Sequence, residues 1–127
     1  MTRSKKLRVL REIYATIPSP GCKGLCVDAC STIPVLPIEL EQLEVAVGRK
    51  LPTFPMPENA NVRLLGTEIG ARCSLLALGR CTAYEHRPLI CRAFGSVEGM
   101  RCPHGCRPDE LIKDAEMYGK FERIAGL

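Results

Sequence analysis

Eight cysteines in 127 residues, set in two groups, constrain this chain more than any other feature. Cys22, Cys26 and Cys30 form a tight C-x3-C-x3-C group, and Cys73, Cys81, Cys91, Cys102 and Cys106 follow in a second stretch. Cysteines in such number serve as disulfides or as metal thiolates, and the redox compartment decides between them. The basic N-terminal residues lead into no uninterrupted apolar run, because Arg8, Arg11 and Glu12 break it, so no secretory segment is read there. No stretch approaches the length of a membrane span. The expectation is a cytoplasmic protein with reduced thiols, in which all eight cysteines are candidate metal ligands. Four disulfides in a secreted protein are the competing reading.

The length suits one domain over residues 1–127, with 22–106 as its core motif, and is enough to bury an apolar core. Trp is absent, and 11 glycines and 10 prolines punctuate the chain. That composition predicts a loop-rich fold with a modest core, to which bound metal would add. The net charge is +4, with Arg3, Lys5, Lys6, Arg8 and Arg11 concentrated at the start. These cations read as a solvated helix face, and they support a nucleic-acid partner only weakly.

Apolar periodicity predicts a helix over 4–17, on Leu7, Leu10, Tyr14 and Ile17, capped by Ser4 and stopped by Pro18 and Pro20. Residues 33–37 read as an extended connector. A second helix begins at Pro37, with Glu39 and Glu41 near its positive end, and ends at Gly48. Residues 49–61, with three prolines and no period, read as loop, and 62–65 as a short strand. A β-hairpin is expected over 73–84, with a cysteine on each arm. A short helix from Pro88 carries Cys91 to about Gly95, and Cys102-Pro103-His104-Gly105-Cys106 forms a tight turn. Pro108 opens the last helix. The fold class is therefore α+β: a small, helix-rich domain with one short hairpin and long loops pinned by a cysteine metal site.

Thiolates select zinc, iron in iron–sulfur clusters, or copper(I). None of the spacings is C-x2-C, the knuckle common in structural zinc sites. Iron–sulfur ligation tolerates varied spacing, and Cys102 precedes Pro103, which tilts the choice toward an iron–sulfur cluster over zinc. His104, between two cysteines, is read as a hydrogen-bonding turn residue before it is read as a ligand. His86 is read as packed or exposed. Arg87 and Arg92 flank Cys91 and are expected to hold a carboxylate such as Glu85 or to offset thiolate charge. Tyr84 and Phe94 are expected to pack beside the cysteines and exclude water. No phosphate loop, G-x-S-x-G or H-E-x-x-H pattern is present, and no catalytic residue is assigned.

The segment from Gly79 to Phe94 resembles the YkgJ-like cysteine-cluster family of zinc- or iron-chelating domains. Cys73, Cys81, Tyr84, Arg87, Pro88, Cys91 and Arg92 match its later block residue by residue. The upstream group departs from it: the family shows C-x2-C-x2-C-C, whereas here the spacing is three and Ser31 stands in place of the doubled cysteine. Cys102 and Cys106 are candidates to supply what is missing. The resemblance implies metal chelation. One branch is similar to part of the flagellin lysine methylases, but no methyl-donor domain is recognisable here and methyl transfer is not carried over. The leading expectation is an accessory or binding protein holding an iron–sulfur cluster or zinc, with its protein partner undefined. Two alternatives stand beside it: a redox or cluster-dependent enzyme component, and a zinc-stabilised nucleic-acid or protein interaction module.

Overall fold

The structure is a computed structural model that describes residues 1–20, 32–77 and 80–127. Among the described residues the architecture is α+β, with four α-helices and a small three-stranded antiparallel sheet. Helix α1 spans Arg3–Ala15 and buries Leu10, Ile13 and Tyr14. Its N-cap is Thr2 rather than Ser4: the Thr2 hydroxyl accepts the Lys5 N–H at 3.2 Å. The basic face is solvated, with Lys5, Arg8 and Arg11 exposed and Arg3 paired to Glu41.

Strand β1 (Ile33–Val35) leads into α2 (Pro37–Val47), with Pro37 at its first turn and Gly48 as its C-cap in the left-handed region at φ +72°. The expected connector over 33–37 is thus partly a paired strand. The loop expected over 49–61 is corrected further. It contains β2 (Thr53–Met56) and the start of β3 (Asn59–Leu65). The strand order is β1-β3-β2, all antiparallel, with Pro34 opposite Leu64 and Pro55 opposite Arg63. Both prolines lie on edge strands, where a missing N–H costs no ladder bond on the solvent side. Arg63 crosses the sheet to bond the Thr53 hydroxyl and carbonyl, at 3.0 and 3.1 Å.

The hairpin forms, but it is shorter than expected. β4 (Leu76–Ala77) pairs with β5 (Arg80–Cys81), which puts Cys81 on an arm and leaves Cys73 ahead of the other. A 3-10 turn over Tyr84–His86 leads to α3 (Leu89–Ala93), with Pro88 as its N-cap. The last helix, α4, spans Asp114–Ala125 and starts well after Pro108. The residues before it are extended because Ile112 bridges Val97 and donates its N–H to the Ser96 carbonyl at 2.8 Å.

Apolar side chains gather in two clusters. One joins α1, α3 and α4 through Leu10, Ile13, Leu89, Ala93, Met117 and Ile124. The other lies under the sheet, through Val35, Leu43, Leu65 and Leu75, and carries Cys73 and Cys81 at its margin. Among the described residues no helix is long and apolar enough to cross a membrane.

Candidate metal centre

Cys22, Cys26 and Cys30, with Asp28 among them, lie outside the described residues. The chain on either side of them is fastened in place. Upstream, the buried Ser96 hydroxyl donates to the Pro18 carbonyl at 2.8 Å. Pro20 is buried against Gly95, where an added Cβ would lie 3.2 Å from the Pro20 Cβ and 3.5 Å from the Cys102 Cβ. Gly95 has φ +83°. A side chain there would be strained by the backbone conformation and crowded by its neighbours. Pro20 and Cys102 therefore flank one glycine, two residues ahead of Cys22 in sequence. Downstream, the Thr32 hydroxyl donates to the Glu68 carbonyl at 2.7 Å, on the approach to Cys73.

Cys73 and Cys81 face one another electrostatically across the start of the hairpin. Burial pushes the Cys73 thiol above its ordinary range, a backbone N–H from Leu75 pulls it back, and the charge of Cys81 raises it again. The Thr82 hydroxyl and amide both donate to the Leu75 carbonyl, at 2.6 and 2.8 Å, and hold the two arms together.

Cys91 lies half-buried in α3, within electrostatic reach of Tyr14 and Arg92. The two arginines around it do not pair with the Glu85 carboxylate as expected. Arg92 donates instead to the main-chain carbonyls of Arg87 and Glu85, at 2.7 and 2.8 Å, and its guanidinium lies 4.1 Å from the Tyr14 ring centroid. Arg87 donates to the Tyr84 carbonyl at 2.9 Å and stacks 4.0 Å over the Tyr84 ring. Together they satisfy the carbonyls of the turn that delivers the chain to α3. Tyr84 is 44 % exposed, so it covers Arg87 and does not seal the cysteines from water. Phe94, the C-cap of α3, is half-buried.

Cys102 and Cys106 bracket the expected turn, closed by the Gly105 N–H donating to the Cys102 carbonyl at 3.1 Å. The His104 amide donates to the Cys102 sulfur at 3.4 Å. His104 thus serves Cys102 through its main chain, and its residue is exposed. Cys106 is buried. His86 is exposed and sits 3.4 Å from the Gln42 side-chain amide.

Sequence reasoning missed Glu39. Read as a first-turn residue favoured by the helix dipole, it is in fact buried, and it accepts bonds from Leu36, Tyr14 and Leu89. Its bond to the Leu36 N–H is the carboxylate half of a capping box, which the Glu three residues into the helix could have signalled. The long-range bonds left no local signal. Burial pushes its carboxyl above the ordinary range, while the Tyr14 hydroxyl, the two amides and Arg92 pull it back.

The donor set fits a soft or borderline cation. The sulfurs of Cys73 and Cys102 each receive a backbone N–H, which stabilises the thiolate form. Among the described residues, no three side chains of metal-binding type converge. A sequence model of the family described as "CxxCxxCC: Putative zinc- or iron-chelating domain" matches residues 21–119. That span takes in all eight cysteines. No curated protein and no solved structure gives a significant match.

Proposed function

The chain belongs to the CxxCxxCC family of zinc- or iron-chelating domains, and from that premise we propose that its two cysteine groups jointly hold an iron–sulfur cluster or zinc. The ligands are drawn from Cys22, Cys26 and Cys30 together with Cys73, Cys81, Cys91, Cys102 and Cys106. One observation carries the reading: both ends of the upstream stretch are fastened to the segments that carry downstream cysteines. Pro20 shares Gly95 with Cys102, and Thr32 is bonded to Glu68 ahead of Cys73. The upstream cysteines lie in the 11 residues between those anchors.

The role is accessory or binding, in one domain and in a reducing compartment such as the cytoplasm. Bound metal would cross-link segments that the modest apolar clusters leave separate, so metal binding and folding are coupled. The chain's own part is to present thiolates. The Leu75 and His104 amides bond sulfur, and Arg92 sets positive charge near Cys91.

Iron, zinc and acid-labile sulfide analysis of anaerobically purified protein, with its visible spectrum, tests this. Iron with sulfide and a brown charge-transfer band assigns a cluster. Colourless protein with stoichiometric zinc assigns a structural zinc site. Protein without either metal, its thiols all oxidised, overturns the reading together with the reducing compartment.

A further inference from the structure

Glu39 is a buried carboxylate, 2 % exposed, on α2, a helix that carries no cysteine. Its two oxygens take donors from three separate elements. Oε1 accepts the Leu36 N–H at 3.1 Å, at the start of α2 itself. Oε2 accepts the Tyr14 hydroxyl from α1, and the N–H of Leu89, the first residue of α3, at 2.5 Å. Cys91 follows two residues later, and then Arg92, whose guanidinium lies over the Tyr14 ring. Helix α3 is only five residues long. So short a helix has little stability or fixed orientation of its own. The bond to its first N–H ties its single turn to α1 and α2, and the stacking of Arg92 on Tyr14 holds its far side. A neutral amide does not reproduce this. Glutamine has one acceptor oxygen and one NH2, so whichever way it lies, its NH2 faces the fixed N–H of Leu36 or of Leu89.

We propose that Glu39 is a positioning residue for Cys91: its carboxylate locks the first turn of α3 against α1 and α2, and so sets the direction in which the Cys91 thiol is presented to metal. The inference rests on the reading of Cys91 as a ligand. It assigns a function in the metal centre to a residue outside the cysteine pattern. Tyr14→Phe keeps the ring beneath Arg92 and both amide bonds to Glu39 but severs the tie of the carboxylate to α1, so it isolates that part of the lock.

The test uses the full chain, reduced and metal-free, as wild type, Glu39→Gln, Tyr14→Phe and Cys91→Ser, each checked for fold by circular dichroism. Titration with Co2+ reads thiolate ligation through sulfur-to-cobalt charge transfer. The Glu39→Gln band is expected to fall to that of Cys91→Ser, and the Tyr14→Phe band to lie between that of Glu39→Gln and wild type. Iodoacetamide labelling of the same metal-free proteins, read peptide by peptide, gives an independent arm. Cys91 in Glu39→Gln is expected to react at a rate altered by roughly tenfold, the factor that loss of one hydrogen bond to a charged group represents, with Cys73 unchanged. Wild-type behaviour of Glu39→Gln in both arms overturns the proposal. A wild type without any charge-transfer band removes the metal reading instead, and the labelling arm then decides alone whether Glu39 positions Cys91. Should Glu39→Gln fail to fold, Glu39→Asp, which keeps the charge but withdraws the oxygens by one methylene, is judged by the same two outcomes.

Discussion

Gly95 carries more of the candidate centre than its size suggests, because two chain segments close over the space where a Cβ would stand. Gly95→Ala places that Cβ 3.2 Å from Pro20 at a φ of +83°. The expected cost is about 1–3 kcal/mol, read as a lower urea midpoint, with weaker metal uptake alongside. Uptake unchanged in a destabilised variant would detach Pro20 from the centre. Tyr14 offers a second test at this scale. Burial first, and then the charge of Glu39, hold its phenol far above the ordinary range, so it stays protonated and donates. A group whose folded pKa is raised stabilises the fold below its unfolded pKa and loses that contribution as pH climbs above it. Wild type is therefore expected to be more stable than Tyr14→Phe up to about pH 10, with the difference shrinking at higher pH. Denaturant melts of both proteins across that range read the difference directly. Replacing Glu39 by Ala strands the Leu36 and Leu89 amides and the Tyr14 hydroxyl in the interior, and is expected to cost about 3 kcal/mol or more.

At the scale of elements, the segment after α3 acts as a clasp. Ser96 donates to Pro18 and accepts from Ile112, and the Gly99 N–H is held by Asp114 at 2.8 Å. These bonds explain why α4 begins at Asp114: Ile112, just before it, is held in a bridge to Val97 that a helix opening at Pro108 would break. Ser96→Ala removes the bond to Pro18 inside a fully buried site. A loss of about 1 kcal/mol in stability is expected, with a raised dissociation constant for Zn2+ in competition with a chromogenic chelator. An unchanged constant would mean that Pro18 does not steer the upstream cysteines. The helices α1 and α2 were legible because apolar periodicity, a first-turn proline and a terminal glycine are local signals. Strand β2 was not. Three prolines between residues 52 and 57 read as loop, and only its place at the sheet edge makes Pro55 tolerable.

Across the molecule, the cysteine-bearing segments divide between two apolar clusters: α3 belongs to one, while Cys73 and Cys81 pack on the other. Metal held by both cysteine groups would bind them together. A chelator is then expected to lower Tm, by roughly 3 °C for each kcal/mol of lost binding energy in a chain of this length. A melting curve indifferent to chelation and to added metal would deny the centre any structural role.

The sequence by itself determined the family, the α+β class and the two longest helix signals, because each rests on residue type and local spacing. It also placed Cys91 on a short helix and Cys102 in a turn. Tertiary structure alone decided the long-range polar contacts of the segments around those cysteines. Glu39 reaches Leu89 across 50 residues of sequence and Ser96 reaches Pro18 across 78. Arg92 turned to main-chain carbonyls in place of the Glu85 carboxylate. Contacts of that range depend on how elements pack, and a buried polar group takes whichever partner packing brings within reach.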